Sequence, residues 1–100
     1  MNPTASPDPE ALRAFCERWK VCELAVFGSV LRSDFSPTSD VDVLVSFEAG
    51  ARITAFGLVD MRDELRQLFG HEVDLVEKEA LLNPFRRREI LRTARVMYAA

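Results

Sequence analysis

Three aspartates and a glycine-serine pair carry the chemistry this chain can offer. Gly28-Ser29 is followed, after ten intervening residues, by Asp40-Val41-Asp42, and a further aspartate sits in Val73-Asp74-Leu75-Val76. Side chains alternate along a strand, so Asp40 and Asp42 leave one face a pleat apart while Val41 and Val43 enter a core. If the strand of Asp74 pairs beside that of Asp42, the three carboxylates share one patch. Like charges that close repel unless a cation lies among them, and an all-oxygen ligand set suits Mg2+ or Mn2+. Asp40, Asp42 and Asp74 are therefore the candidate metal ligands and catalytic residues.

Gly28 lets backbone amides approach a ligand closely and Ser29 adds a hydroxyl. A helical turn begun there would aim its positive end at an anion. Arg32, one turn further on, is either a surface arginine of a loop or a bidentate partner for phosphate. Carboxylates suited to a divalent ion, facing a phosphate cradle, are the parts of phosphoryl or nucleotidyl transfer, where catalysis is mostly positioning and charge neutralisation. The bland alternatives are solvated strand carboxylates for Asp40 and Asp42, ordinary strand alternation for Asp74, and turn-forming roles for Asp34 and Ser39.

The elements that must position these residues follow from pattern and punctuation. Residues 1–7, with two prolines, read as a disordered, frayed start. Asp8-Pro9 then caps a helix in which Leu12, Phe15, Cys16 and Trp19 recur at helical spacing. Glu23 to Phe27 and Val41 to Phe47 read as strands, joined by a segment that closes on Ser36-Pro37-Thr38-Ser39. A helix from about Thr54 to Phe69 aligns Leu58, Met61, Leu65 and Leu68, with Gly70 as its C-cap. His71 to Glu77 is a third strand. Asn83-Pro84 opens a last helix running to about Tyr98, apolar on two sides through the rows Ile90-Ala94-Met97 and Leu91-Tyr98. One side would meet the sheet; the other would meet a partner chain, or else its arginines complement the acidic body of the same molecule. The order α-β-turn-β-α-β-α predicts one α+β domain over residues 1–100: a small mixed sheet flanked by helices in a two-layer α/β arrangement.

Composition narrows the function. The chain has 100 residues, 48% of them apolar and 29% charged, which fits one soluble domain. No apolar run approaches the ~20 residues of a membrane span and the start is no secretory leader, so a cytoplasmic protein is expected. Cys16 and Cys22 have neither metal nor disulfide spacing and read as core fillers. His71, the single histidine, and the Phe15-Trp19 pair read as structural. The net charge of −3 divides unevenly: residues 1–83 hold 8 basic and 15 acidic side chains, residues 84–100 hold 5 and 1. The acidic body argues against nucleic-acid binding, while the basic tail offers a local contact surface. A domain of this size cannot enclose an acceptor, so its site is shallow or completed by a partner.

Phe27-Gly28-Ser29-Val30-Leu31-Arg32, with Asp34 and Ser39-Asp40-Val41-Asp42-Val43-Leu44-Val45 downstream, resembles the signature of the nucleotidyltransferase fold shared with DNA polymerase β. It is most similar to the minimal nucleotidyltransferases (MNT), small antitoxins paired with HEPN-domain toxins. The resemblance continues through Val73-Asp74-Leu75-Val76 and Leu82-Asn83-Pro84-Phe85 to Tyr98, and so covers Glu23 to Tyr98. It implies a polymerase β palm-like fold and transfer of AMP from ATP, with two Mg2+ ions held by Asp40 and Asp42. Asp74 would be a third ligand or the base for the attacking hydroxyl, and Gly28, Ser29 and Arg32 would hold the triphosphate. It further implies a tyrosine acceptor on a cognate HEPN toxin, an RNase silenced by that AMP, and a hetero-oligomer with it. The commonest family loop reads Gly-Ser-x-Ala-Arg-Gly-Asp; here Leu31 and Ser33 replace its alanine and second glycine, without removing a ligand. The alternatives are an antitoxin that works by binding alone, a small-molecule nucleotidyltransferase, for which an acceptor wall is missing, and nucleic-acid extension, for which a basic channel is missing.

Overall fold

Asp8 accepts a hydrogen bond from the Ala11 amide at 3.2 Å and Pro9 occupies the first turn, so helix α1 (Pro9–Trp19) begins where its caps dictate. The computed structural model describes residues 6–32 and 35–100; most of the disordered start expected for residues 1–7, and the readings made of Ser33 and Asp34, lie outside the described residues. After α1 come β1 (Val21–Phe27), a 3-10 turn (Gly28–Leu31), β2 (Val41–Phe47), α2 (Ala55–Phe69) and β3 (Val73–Glu77). A second short turn leads to α3 (Pro84–Thr93) and β4 (Arg95–Ala99).

The sheet order is β3-β2-β1-β4, with β2 and β3 parallel and the other two pairs antiparallel. Parallel neighbours require a crossover, and α2 supplies it. α1 and α2 cover one face, packing Leu12, Phe15, Met61, Leu65 and Phe69 on Val26, Val43 and Val45. Glu64 of α2 clamps the two helices by accepting from both the Trp19 indole and the Arg18 guanidinium. The opposite face carries a smaller cluster in which Leu81 and Ile90 lie on Ala25, Phe27 and Leu44. This is the expected α+β sheet-and-helix arrangement. Burial pushes the Cys16 thiol up to about 12, so it stays a neutral core group. Among the described residues no helix is long and apolar enough to cross a membrane.

One element departs from the sequence reading. The last helix stops at Thr93 instead of Tyr98, and Arg95–Ala99 forms a fourth strand that pairs Leu24 with Tyr98 and Ala25 with Val96. Only Ile90 of α3 is buried, so a helix prolonged to Tyr98 would have little to pack on. The β-branched and aromatic residues Val96 and Tyr98 instead satisfy the second edge of β1. The expected rows through Ala94, Met97, Leu91 and Tyr98 therefore do not exist as helix faces. β1 also begins two residues early, at Val21, with a register shift between Val21 and Glu23.

Candidate active site

Gly28 ends β1 with φ of +75°, in the left-handed region that favours glycine. A Cβ placed there would lie 2.2 Å from Oδ2 of Asp42, so the carboxylate is pressed against a bare Cα. The sheet register sets Asp42 beside Phe27 on β1 and beside Asp74 on β3. The hydroxyl of Ser29 donates to the carbonyl of Asp40 at 3.2 Å, which ties the glycine-serine turn to the start of β2. Gly28, Ser29, Asp40, Asp42 and Asp74 are thereby gathered at one end of the sheet, with Asp42 and Asp74 on the face that α1 and α2 leave open and the Asp40 charge close enough to act on Asp42.

The approach to Asp40 is held from below. Phe35 is buried with its ring centroid 4.8 Å from that of His71, and Nδ1 of His71 lies 3.2 Å from the carbonyl of Ser39. The Ser39 hydroxyl accepts from the Ser36 amide at 3.1 Å, a turn-forming bond. His71 is structural, as its isolation in the sequence implied, and its task is to fix the loop that delivers Asp40.

Burial raises the Asp42 carboxyl above the ordinary aspartate value, and the charges of Asp74 and then Asp40 raise it further; Arg32 and Arg86 pull it back. Asp40 and Asp74 are exposed. Among the described residues no three His, Cys, Asp or Glu side chains stand at metal-ligating separations, so the carboxylates share a field without closing on a common point. Mutual repulsion opposes such closure. Hard oxygen donors, one of them half-buried and disfavoured as an anion, make a set whose charge Mg2+ would relieve, and in that sense the residues fit the ion.

Two features were not read from the sequence. Arg86, in the first turn of α3, acts on Asp42 through its charge, because α3 crosses back over the sheet face. An open groove of about 450 Å3, lined by Phe27, Gly28, Leu31, Arg32, Glu89, Ile90 and Thr93, separates the 3-10 turn from α3. Leu31 stands in its wall, where alanine would leave more room. The Asn83-Pro84 start was the available signal for Arg86, since it fixes which residues occupy that first turn.

Residues 9–97 match the nucleotidyltransferase domain family. MJ1217 of Methanocaldococcus jannaschii, provisionally named a protein adenylyltransferase, is 34% identical over 74 residues, which is 74% of each chain. A solved structure provisionally described as a minimal nucleotidyltransferase superposes with a TM-score of 0.69 at 36% identity, over 87% of this chain and 86% of that one. At 14% identity, a chain from a complex of tri-AMPylated Shewanella oneidensis HEPN toxin with MNT antitoxin shares the fold, with a TM-score of 0.65 over 92% of this chain and 70% of that one.

Proposed function

Because this chain belongs to the nucleotidyltransferase domain family, we propose that it transfers AMP from ATP, with Mg2+, to a tyrosine hydroxyl of a cognate HEPN-domain toxin and so acts as its antitoxin. The observation that carries the reading is the register of Asp42 beside Asp74, with the Asp42 carboxylate seated on the bare Cα of Gly28. The naming of MJ1217 as a protein adenylyltransferase and the AMPylated toxin of the Shewanella complex support it.

In this reading the chain is an enzyme that positions three reactants. The amides of the turn at Gly28 and Ser29, with the Arg32 guanidinium, hold the triphosphate, and the groove beside Leu31 and Ile90 takes the rest of the nucleotide. Asp40 and Asp42 would hold two Mg2+ ions, which supply neutralisation of the phosphate charge when bound. Asp74, exposed on the neighbouring strand, is the third ligand or accepts the proton of the tyrosine hydroxyl as its oxygen attacks the α-phosphorus and pyrophosphate leaves.

The test is incubation of the chain and cognate toxin with labelled ATP and Mg2+. Wild type labels the toxin, and Asp40→Ala/Asp42→Ala loses about 100-fold or more of the rate, as expected when groups that position and neutralise charge are removed. Equal labelling by both overturns the mechanism. Toxin inhibition that survives the double substitution and withdrawal of Mg2+ assigns neutralisation to binding alone.

A further inference from the structure

β3 is the terminal strand of the sheet, and its free side opens into a second groove of about 450 Å3. That groove is lined by all five residues of β3, Val73 to Glu77, and by Leu58, Val59, Arg62 and Ala80. Successive side chains of a strand point to opposite faces, so a cavity that touches every one of them runs along the strand's edge. The Glu72 carbonyl accepts from the Val41 amide at 2.8 Å. In a parallel ladder alternate residues turn both backbone groups toward the neighbour, so Asp74 and Val76 face β2 and Val73, Leu75 and Glu77 face outward. Among the described residues no backbone partner meets those three, and no ion pair engages Arg62 or Glu77.

We infer that the acceptor protein presents its modified residue on an extended segment that adds to the outer edge of β3. This rests on the reading of the chain as a protein adenylyltransferase and names how the acceptor is bound. Continuity with the site argues for this occupant: Asp74 lines both the groove and the carboxylate patch, so a strand paired here brings one side chain round the edge to the reacting groups. Backbone pairing supplies affinity with little demand on sequence, and alternate side chains of the segment meet Val59 and Leu58 of α2. Val59 is 49% exposed, so a strand added at this edge would have apolar surface of α2 to cover. Arg62 on one wall and Glu77 on the other suit a segment bearing both an acidic and a basic side chain.

The experiment is hydrogen exchange of the chain with and without its cognate HEPN toxin, in the absence of ATP, together with Michaelis constants for toxin and for ATP in Val59→Glu and Leu75→Pro. Leu75→Pro removes an outward amide; because Leu75 also packs on the core, Val59→Glu on the helix surface serves as the variant certain to leave the core alone. The expected result is slowed exchange at Val73, Leu75 and Glu77, and a toxin KM raised about tenfold by Val59→Glu with the KM for ATP unchanged, the equivalent of one modest interface contact. Toxin binding with these amides unprotected overturns the inference, even if the toxin is labelled and the catalytic reading stands. Protection that grows with the chain's own concentration, without toxin, assigns the edge to a second copy and also overturns it. Protection by toxin with no AMP transferred removes the catalytic reading and leaves the docking surface.

Discussion

Gly28→Ala isolates the contact that seats Asp42. The added methyl would stand 2.2 Å from Asp42 Oδ2 and 3.3 Å from its Cγ, and no real Cβ approaches a neighbour within 3.0 Å. The carboxylate must therefore retreat by roughly 1 Å, at an off-rotamer cost of about 0.5–1.5 kcal/mol. Alanine at a φ of +75° adds about 1–2 kcal/mol, because L side chains crowd the following carbonyl there. Together the domain loses about 2–3 kcal/mol, which for a chain of this length lowers Tm by about 10–20 °C. Activity falls further than stability, since a catalytic group misplaced by about 1 Å costs about 100-fold in rate. Urea unfolding and AMP transfer measured below the new transition separate the two losses. Asp42→Ala as background supplies the control: with no carboxylate to displace, Gly28→Ala should cost only its backbone share of about 1–2 kcal/mol, and the difference between backgrounds is the coupling. Gly28→Ala within about 0.5 kcal/mol of wild type, or the same cost in both backgrounds, would refute the argument from contact.

Asp42→Asn tests the electrostatics. The folded chain holds the Asp42 proton above the ordinary aspartate value, through burial, Asp74 and Asp40 in that order. Ionised Asp42 therefore subtracts stability at neutral pH, and that penalty is relieved as pH falls through the folded-state value toward the unfolded one. Asn carries no charge, so Tm of Asp42→Asn exceeds wild type at pH 7 and the two converge as the carboxylate range is crossed; a lower Tm at neutral pH contradicts the stated cause. Arg86→Gln removes one of the two charges that favour ionised Asp42, so Mg·ATP affinity measured by calorimetry should fall about 3- to 10-fold at low salt and less at high salt, as screening predicts for exposed groups. An affinity that does not move, or a loss independent of salt, argues against a role for Arg86 at the site.

The carboxylate pair and the glycine turn were legible because both are written locally. Alternation alone turns Asp42 away from Val41 and Val43, whereas Asp40 stands one residue before β2 and is placed by the turn that precedes the strand. Glycine before a polar turn announces its own backbone. Asp74 needed one further assumption, the pairing of β3 with β2, and α2 makes that pairing parallel and in register. β4 was not legible. Ile90, Ala94 and Met97 fall at helical spacing, yet Val96 and Tyr98 also alternate, and the decision lies with β1, some seventy residues earlier, whose second edge must be paired. Arg86 was hidden for a related reason: its effect on Asp42 depends on where α3 lies over the sheet, which no local pattern states.

The same turn of the chain at Ala94 explains why the site is open. Leu81 and Ile90 cover Ala25, Phe27 and Leu44, and Asp42 lies on that face one pleat beyond Leu44. From Thr93 the chain leaves this face for the far edge of β1, as β4, at the opposite side of the sheet from β3. Residues that would otherwise extend α3 thus stabilise the sheet, and Asp40 and Asp74 stay exposed. An exposed pair of carboxylates cannot select an acceptor by enclosing it, so selectivity has to come from surface the acceptor brings with it. The bare edge of β3 adjoins Asp74 and the paired edge of β1 does not, which gives the two sides of one small sheet different uses: β4 completes the fold, and β3 is left for the acceptor.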